Sequence, residues 1–158
     1  MLRKYEYRRK LPHYQPDHKA FFITFSTYRR WILPEPVRQI VIDICLAGNG
    51  QKFRLYGLVV MPDHVHLVLT PLTDANGSFS IAEIMQCIKG ASAHRINRAL
   101  RRTGRVWEEE SFDRALRCEE SILDKVEYIL ANPVGAGLVH NPLEYPWLWR
   151  ETGEKSSG

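Results

Sequence analysis

Two apolar runs separated by only two residues constrain this chain most. Phe53 to Met61 (FRLYGLVVM) and His64 to Thr70 (HVHLVLT) are short and rich in valine, leucine and aromatic residues, which suits strands. Pro62-Asp63 leaves room only for a tight connection, so the runs are expected to pair as an antiparallel hairpin. Within the second run Val65, Leu67 and Leu69 share one face and His64, His66 and Val68 share the other.

The flanking segments fill in a fold. Ala20 to Thr27 (AFFITFST) reads as a further buried strand. Pro34 and Pro36 open a helix whose apolar face is Val37, Ile40, Val41, Ile44 and Cys45, and Gly48-Asn49-Gly50 stops it. Pro71 to Ser78 reads as a loop. Ser80 and Glu83 form a capping box, which starts a helix with Ile81, Ile84, Met85, Ile88, Ser92, Ile96 and Ala99 on one stripe; Thr103-Gly104 ends it. A fourth strand is predicted over Phe112 to Cys118, and a last helix from Glu119 to Asn132, stopped by Pro133. The order is β-α-β-β-α-β followed by a helix. It predicts an α+β, ferredoxin-like (split β-α-β) sandwich: a four-stranded antiparallel sheet covered by helices on one face and open on the other. Residues 1–19 read as a basic arm, 20–150 as the single domain, and 151–158 as a disordered tail.

Composition narrows the class. With 158 residues, 44% hydrophobic and 25% charged, the chain is an ordinary globular domain with a sizeable core. No apolar run suits a membrane span or a signal core, so a cytoplasmic location is expected. Cys45, Cys87 and Cys118 are odd in number, far apart and set in apolar patterns, which predicts buried reduced thiols. The net charge of +4 is concentrated. Arg3, Lys4, Arg8, Arg9 and Lys10 crowd the arm among Tyr5, Tyr7 and Tyr14, and Arg95, Arg98, Arg101, Arg102 and Arg105 gather at the end of the second helix. Cations mixed with stacking rings suit nucleic acid. The candidate DNA contacts are therefore Arg8, Arg9, Lys10, Lys89, Arg95, Arg98, Arg101, Arg102 and Lys125. A solubilising arm and a solvated helix face are the alternative.

His64 and His66 put two imidazoles on one strand face, and neutral imidazole is a good ligand for divalent metals. On spacing alone two surface histidines hydrogen-bonded to neighbours are the commoner reading. Asp63 is better suited to shaping the turn or orienting a histidine than to binding metal. In the last helix Ile122, Leu123, Val126, Ile129 and Leu130 form the apolar stripe, and Tyr128 lies roughly 160° from its centre at about 100° per residue. Lys125 and Asn132 fall on the same ridge as Tyr128. That ridge offers a phenol to attack phosphorus, an amide to complete a metal site and an ammonium to steady charge; taken alone, a surface tyrosine beside a helix-ending Asn-Pro is the commoner reading.

Taken together, "VVMPDHVHLVLTP" and "YILANPVGAGLV" resemble the IS200-like tyrosine transposases, and most closely the REP-associated branch. "RRKLPHYQPDHKAFFITFST", "IKGASAHRINR", "SFDRALR" and "EYPWLW" resemble that branch too. These enzymes are HUH endonucleases, named for a His-hydrophobic-His motif, which His64-Val65-His66 fits. The resemblance implies a divalent metal, magnesium or manganese, held by His64, His66 and Asn132. It implies single-stranded DNA hairpins or palindromes as substrate, and Tyr128 as the nucleophile that forms a 5′-phosphotyrosine and releases a 3′-hydroxyl. It leaves a homodimer and a monomer both open, and with them whether the tyrosine and the histidines come from one chain. Lys125 and metal-bound water are both candidates for the phenol proton.

Three rivals stand beside this reading. The nearest is a domesticated hairpin-DNA-binding protein without cleavage activity. An RNA-binding module of the same fold would carry stacking rings on its central strand, where this chain has HVH. A zinc hydrolase would need a third strong ligand and a general base, and the sequence holds no HExxH.

Overall fold

The computed structural model describes residues 19–152. The arginines and lysine of the arm, Arg8, Arg9 and Lys10, lie outside the described residues, as does most of the tail.

Strand β1 (Ala20–Ser26) leads through a short 3₁₀ turn to helix α1 (Glu35–Gly48). The hairpin β2 (Phe53–Val60) and β3 (His64–Pro71) follows, then a two-residue pair β4 (Thr73–Asp74) and β5 (Gly77–Ser78). Helix α2 (Ile81–Leu100), strand β6 (Phe112–Leu116), helix α3 (Glu119–Gly135) and strand β7 (Leu148–Arg150) complete the chain. The main sheet is antiparallel throughout, in the order β6-β1-β3-β2-β7. The predicted mixed class, helices packed on an antiparallel sheet, is the observed one.

Alternation divides the sheet residues between two cores. Ile23, Phe25, Leu55, Leu58, Val65, Leu67 and Leu69 meet α1 and α2 through Val37, Val41, Cys45, Ile84, Ile88 and Ile96. Phe22, Val59 and Val68 meet α3 through Ile122, Leu123, Val126 and Ile129. Each such side chain withdrawn from water contributes about 1.5–3 kcal/mol before entropy is counted. The face expected to be open is thus covered by α3. The stripe of five apolar residues on that helix needed a surface, and the second face of the sheet supplies it.

Other expectations change as well. The sheet has five strands, because Leu148–Arg150 pairs with the β2 edge. Pro133 does not stop α3 at Asn132; the helix continues to Gly135. Proline removes only its own N–H, here the partner of the Ile129 carbonyl, and Ala136 N–H still reaches the Asn132 carbonyl at 2.9 Å. The Pro71–Ser78 loop contains the β4–β5 pair, turned at Gly77 with φ of 113°. Glu151, assigned to the tail, is tied down: its N–H donates to the Tyr56 carbonyl at 3.0 Å. Only Cys45 is buried, with burial pushing its thiol up to about 12; Cys87 and Cys118 are exposed. The capping box of α2 forms as predicted, Ser80 Oγ accepting from Glu83 N–H at 3.0 Å.

Strand β2 carries one extra residue. Leu55 pairs with Leu69 and Gly57 with Val68, so Tyr56 is bulged. Gly57 then faces α3, where an added Cβ would lie 3.4 Å from Val126.

Candidate active site

The site grows from the turn of the central hairpin. Asp63 is clasped by the end of β1: Thr27 N–H and Thr27 Oγ1 both donate to its carbonyl, at 2.9 and 3.1 Å. Its carboxylate is therefore aimed, and Oδ1 lies 2.7 Å from His64 Nδ1. Arg30 approaches the other oxygen at 3.5 Å. Two residues on, His66 is paired across the sheet with Thr24, and its Nδ1 lies 2.7 Å from Thr24 Oγ1. Phe22 stacks on the His66 ring at 5.4 Å and 20°. The two imidazoles stand 4.7 Å apart, ring to ring.

Both Nδ1 atoms are therefore engaged by neighbours that fix the rings. With Nδ1 carrying the proton, each Nε2 presents a lone pair. An imidazole oriented through its other nitrogen by a carboxylate or hydroxyl is the usual preparation for metal binding. His66 is only 7% exposed. Burial, then His64, then Lys125, lowers its pKa to about 4, so at neutral pH it is uncharged. Among the described residues no three His, Cys, Asp or Glu side chains converge.

Helix α3 brings the phenol to this pair. Tyr128 is 48% exposed, and its ring meets His66 edge-on at 5.5 Å and Phe22 at 5.8 Å. Tyr128 and His66 of the same chain are thus in contact. Lys125 Nζ lies 4.7 Å from the centre of the Phe22 ring and 5.4 Å from that of Tyr128. Its ammonium sits over both ring faces. Asn132 is one turn further along α3, half-buried.

The predicted DNA contacts fare differently. Arg95, Arg98 and Arg101 are exposed on α2, which packs on the opposite face of the sheet from α3. Arg102 is built into the end of that helix: its guanidinium lies over Trp31 at 4.2 Å and donates to Asn97 Oδ1 at 2.6 Å. Lys89 donates to the Glu109 carbonyl at 3.0 Å and to Ser111 Oγ at 2.9 Å, anchoring the segment before β6. Neither Arg102 nor Lys89 is brought to the histidines, and both are engaged in holding the fold.

Sequence reasoning missed Phe22 and Thr24. Alternation in AFFITFS puts them on one face, but only the β1–β3 register, Thr24 against His66, assigns them to the site.

A sequence model of the family described as "Transposase IS200 like" matches residues 14–130. This chain belongs to the IS200-like transposase family. It is 26% identical over 101 residues to a Haemophilus influenzae protein named as a REP-associated tyrosine transposase; the match covers 60% of this chain and 57% of that protein's length. The fold is also that of a solved REP-associated tyrosine transposase bound to a REP hairpin, with a TM-score of 0.67 and 18% identity over 93% of this chain and 96% of that one. No helix among the described residues is long and apolar enough to cross a membrane.

Proposed function

We propose that this protein is a metal-dependent single-strand DNA endonuclease and strand transferase of the HUH type, cutting hairpin or palindromic DNA through Tyr128. The observation that carries the reading is the contact of the exposed Tyr128 ring with His66, which itself stands beside His64, the Nδ1 atoms of both imidazoles being already engaged. The name of the Haemophilus relative and the REP hairpin in the solved neighbour support DNA hairpins as the substrate, and so an enzyme working in the cytoplasm.

The residues fit a divalent ion. Two imidazole rings lie side by side, 4.7 Å apart, and the amide oxygen of Asn132 is the proposed third ligand. Magnesium or manganese held there would draw charge from a non-bridging phosphate oxygen and favour in-line attack. The chain's own groups do the rest. Asp63 keeps His64 in its ligating tautomer, and Thr24 holds the His66 ring in place. Tyr128 Oη attacks phosphorus: the Oη–P bond forms, the bond from phosphorus to the 3′-oxygen breaks, and the phenol proton is in the end balanced by protonation of that oxygen. The phosphotyrosine conserves the ester bond, so a 3′-hydroxyl from another strand can reverse the step and complete transfer. The ammonium of Lys125, over the Tyr128 ring, favours the phenolate character that develops on the way.

The test is Tyr128→Phe, assayed on a hairpin-bearing single strand. Wild type should nick it and become covalently attached, resisting denaturing electrophoresis. The variant should bind but neither nick nor attach. A variant that still attaches overturns the assignment, and wild type that binds without nicking returns the chain to the binding-only class.

A further inference from the structure

We infer that the outer edge of the sheet, strand β6 with the start of α3, is the track that carries single-stranded DNA into the site, with Arg114, Arg117 and Lys125 gripping successive phosphates and Phe112 stacking on a neighbouring base. The inference rests on the proposed strand-cutting function for its class of substrate. It concerns residues that the sequence reading left without a role, Lys125 excepted.

Register makes the case. Thr24 pairs with His66 on one side and with Phe112 on the other; Phe22 pairs with Val68 on one side and with Arg114 on the other. Directly opposed residues in an antiparallel sheet share a face. Phe112 therefore lies in the same row as the Thr24–His66 pair, about 10 Å from His66 at two strand spacings. Arg114 lies in the row of Phe22, about 7 Å further along β6. Both rows are on the face where Tyr128 waits.

Strand β6 is an edge, and it is uncovered: Phe112, Asp113, Arg114 and Ala115 are all exposed. Phe112 is 59% exposed, costly for a large apolar ring unless something packs on it. Between β6 and α3 lies a cleft of about 650 Å³ lined by Arg114, Arg117, Ser121, Asp124 and Lys125. Three cations there meet one carboxylate. Lys125 belongs to this cleft and also to the Phe22–Tyr128 contact, so the cleft opens onto the nucleophile. The other side of Phe112 has the opposite sign: Glu108, Glu109 and Glu110 flank it, with Arg105 the one cation among them. A polyanion is repelled there and attracted at the Arg114 end, so its backbone crosses the edge at Arg114 with a base turned back over Phe112. Cationic groove and aromatic platform are the two parts of a sequence-tolerant single-strand site.

The experiment measures binding of labelled oligo(dT) to the full chain by fluorescence anisotropy in EDTA, over a salt series. Arg114→Gln with Arg117→Gln should weaken binding and reduce the salt slope by roughly 1.4, two phosphate contacts on a single strand. Phe112→Ala should weaken binding by roughly 5- to 150-fold with the slope unchanged. Phe112→Trp and the double Arg→Lys variant should bind as wild type, which separates lost contacts from lost folding. Unchanged affinity and slope in the Gln variant, or wild type that does not bind oligo(dT), overturns the track. Binding that responds as described in a protein that never nicks leaves the track standing and sinks the strand-cutting function. Nicking at wild-type rate by both variants does the reverse.

Discussion

The two faces of β3 are built from the same eight residues and do different work. Val65, Leu67 and Leu69 enter a core of aliphatic and aromatic side chains between the sheet and helices α1 and α2. His64 and His66 turn to the α3 side, into a setting of hydroxyl, carboxylate, rings and ammonium. The first face gains by excluding water and tolerates little change in volume. The second accepts a partly buried imidazole pair and a half-exposed phenol, and it is held by directed bonds. Strength on one side lets the other be polar. A rigid apolar layer fixes the backbone, and the backbone fixes the two imidazoles 4.7 Å apart.

This comparison can be broken at several points. The largest effect should follow replacement of both His64 and His66 by alanine. Cleavage should fall by about a thousandfold or more, since a metal contributes several kcal/mol to the barrier. Activity unchanged across magnesium and manganese titrations would end the metal role. On the opposite face Leu67→Ala should cost about 2–5 kcal/mol of stability in urea unfolding. The fraction that remains folded should cut at a near-normal rate; a loss of activity exceeding the loss of folded protein would mean the two faces are not separable. Next come the groups that orient the imidazoles. Asp63→Asn and Thr24→Val should each weaken metal binding by roughly 10- to 100-fold, read by calorimetry, with little change in unfolding. The smallest effect is one of pH. His66 has a folded pKa near 4 against an ordinary value of 6.5, so the unfolded chain takes up its proton first. Stability from keeping it neutral is complete above about pH 6.5 and is lost as pH falls towards 4; at pH 5 the metal-free protein should be about 2 kcal/mol less stable than at pH 7 on this account. His66→Gln should flatten that decline, and a decline of the same size in the variant would assign it to other groups.

What could be read in the sequence follows the range of the interactions. The capping box at Ser80, the stripe of α2 and the far-side phase of Tyr128 depend on neighbours within a turn or two, and all three were legible. So was the alternation of β3. The β7 strand was not, because three residues before a polar tail become a strand only when the β2 edge lies alongside. The Thr24–His66 bond spans 42 residues and exists only at one register. Pro133 misled because a proline near the end of a helix removes one bond, and packing of α3 on the sheet outweighs it. Lys89 and Arg102 stand out in the sequence by their charge alone, whereas the carbonyls and rings that engage them in the fold do not show there.

The bulge at Tyr56 has its own consequence. Without that residue β2 would alternate regularly, with Phe53, Leu55, Leu58 and Val60 all still facing α1 and α2. Tyr56 is thus a spare link in the strand. The link is put to use at both ends: its hydroxyl lies 3.1 Å from Thr70 Oγ1 on β3, and its carbonyl receives Glu151 N–H just past β7. A deletion there would keep the other core side chains of β2 in phase while removing a buried ring from the α3 side and releasing the end of the chain, so the molecule carries a site where length can change in a central strand with its two layers unmixed.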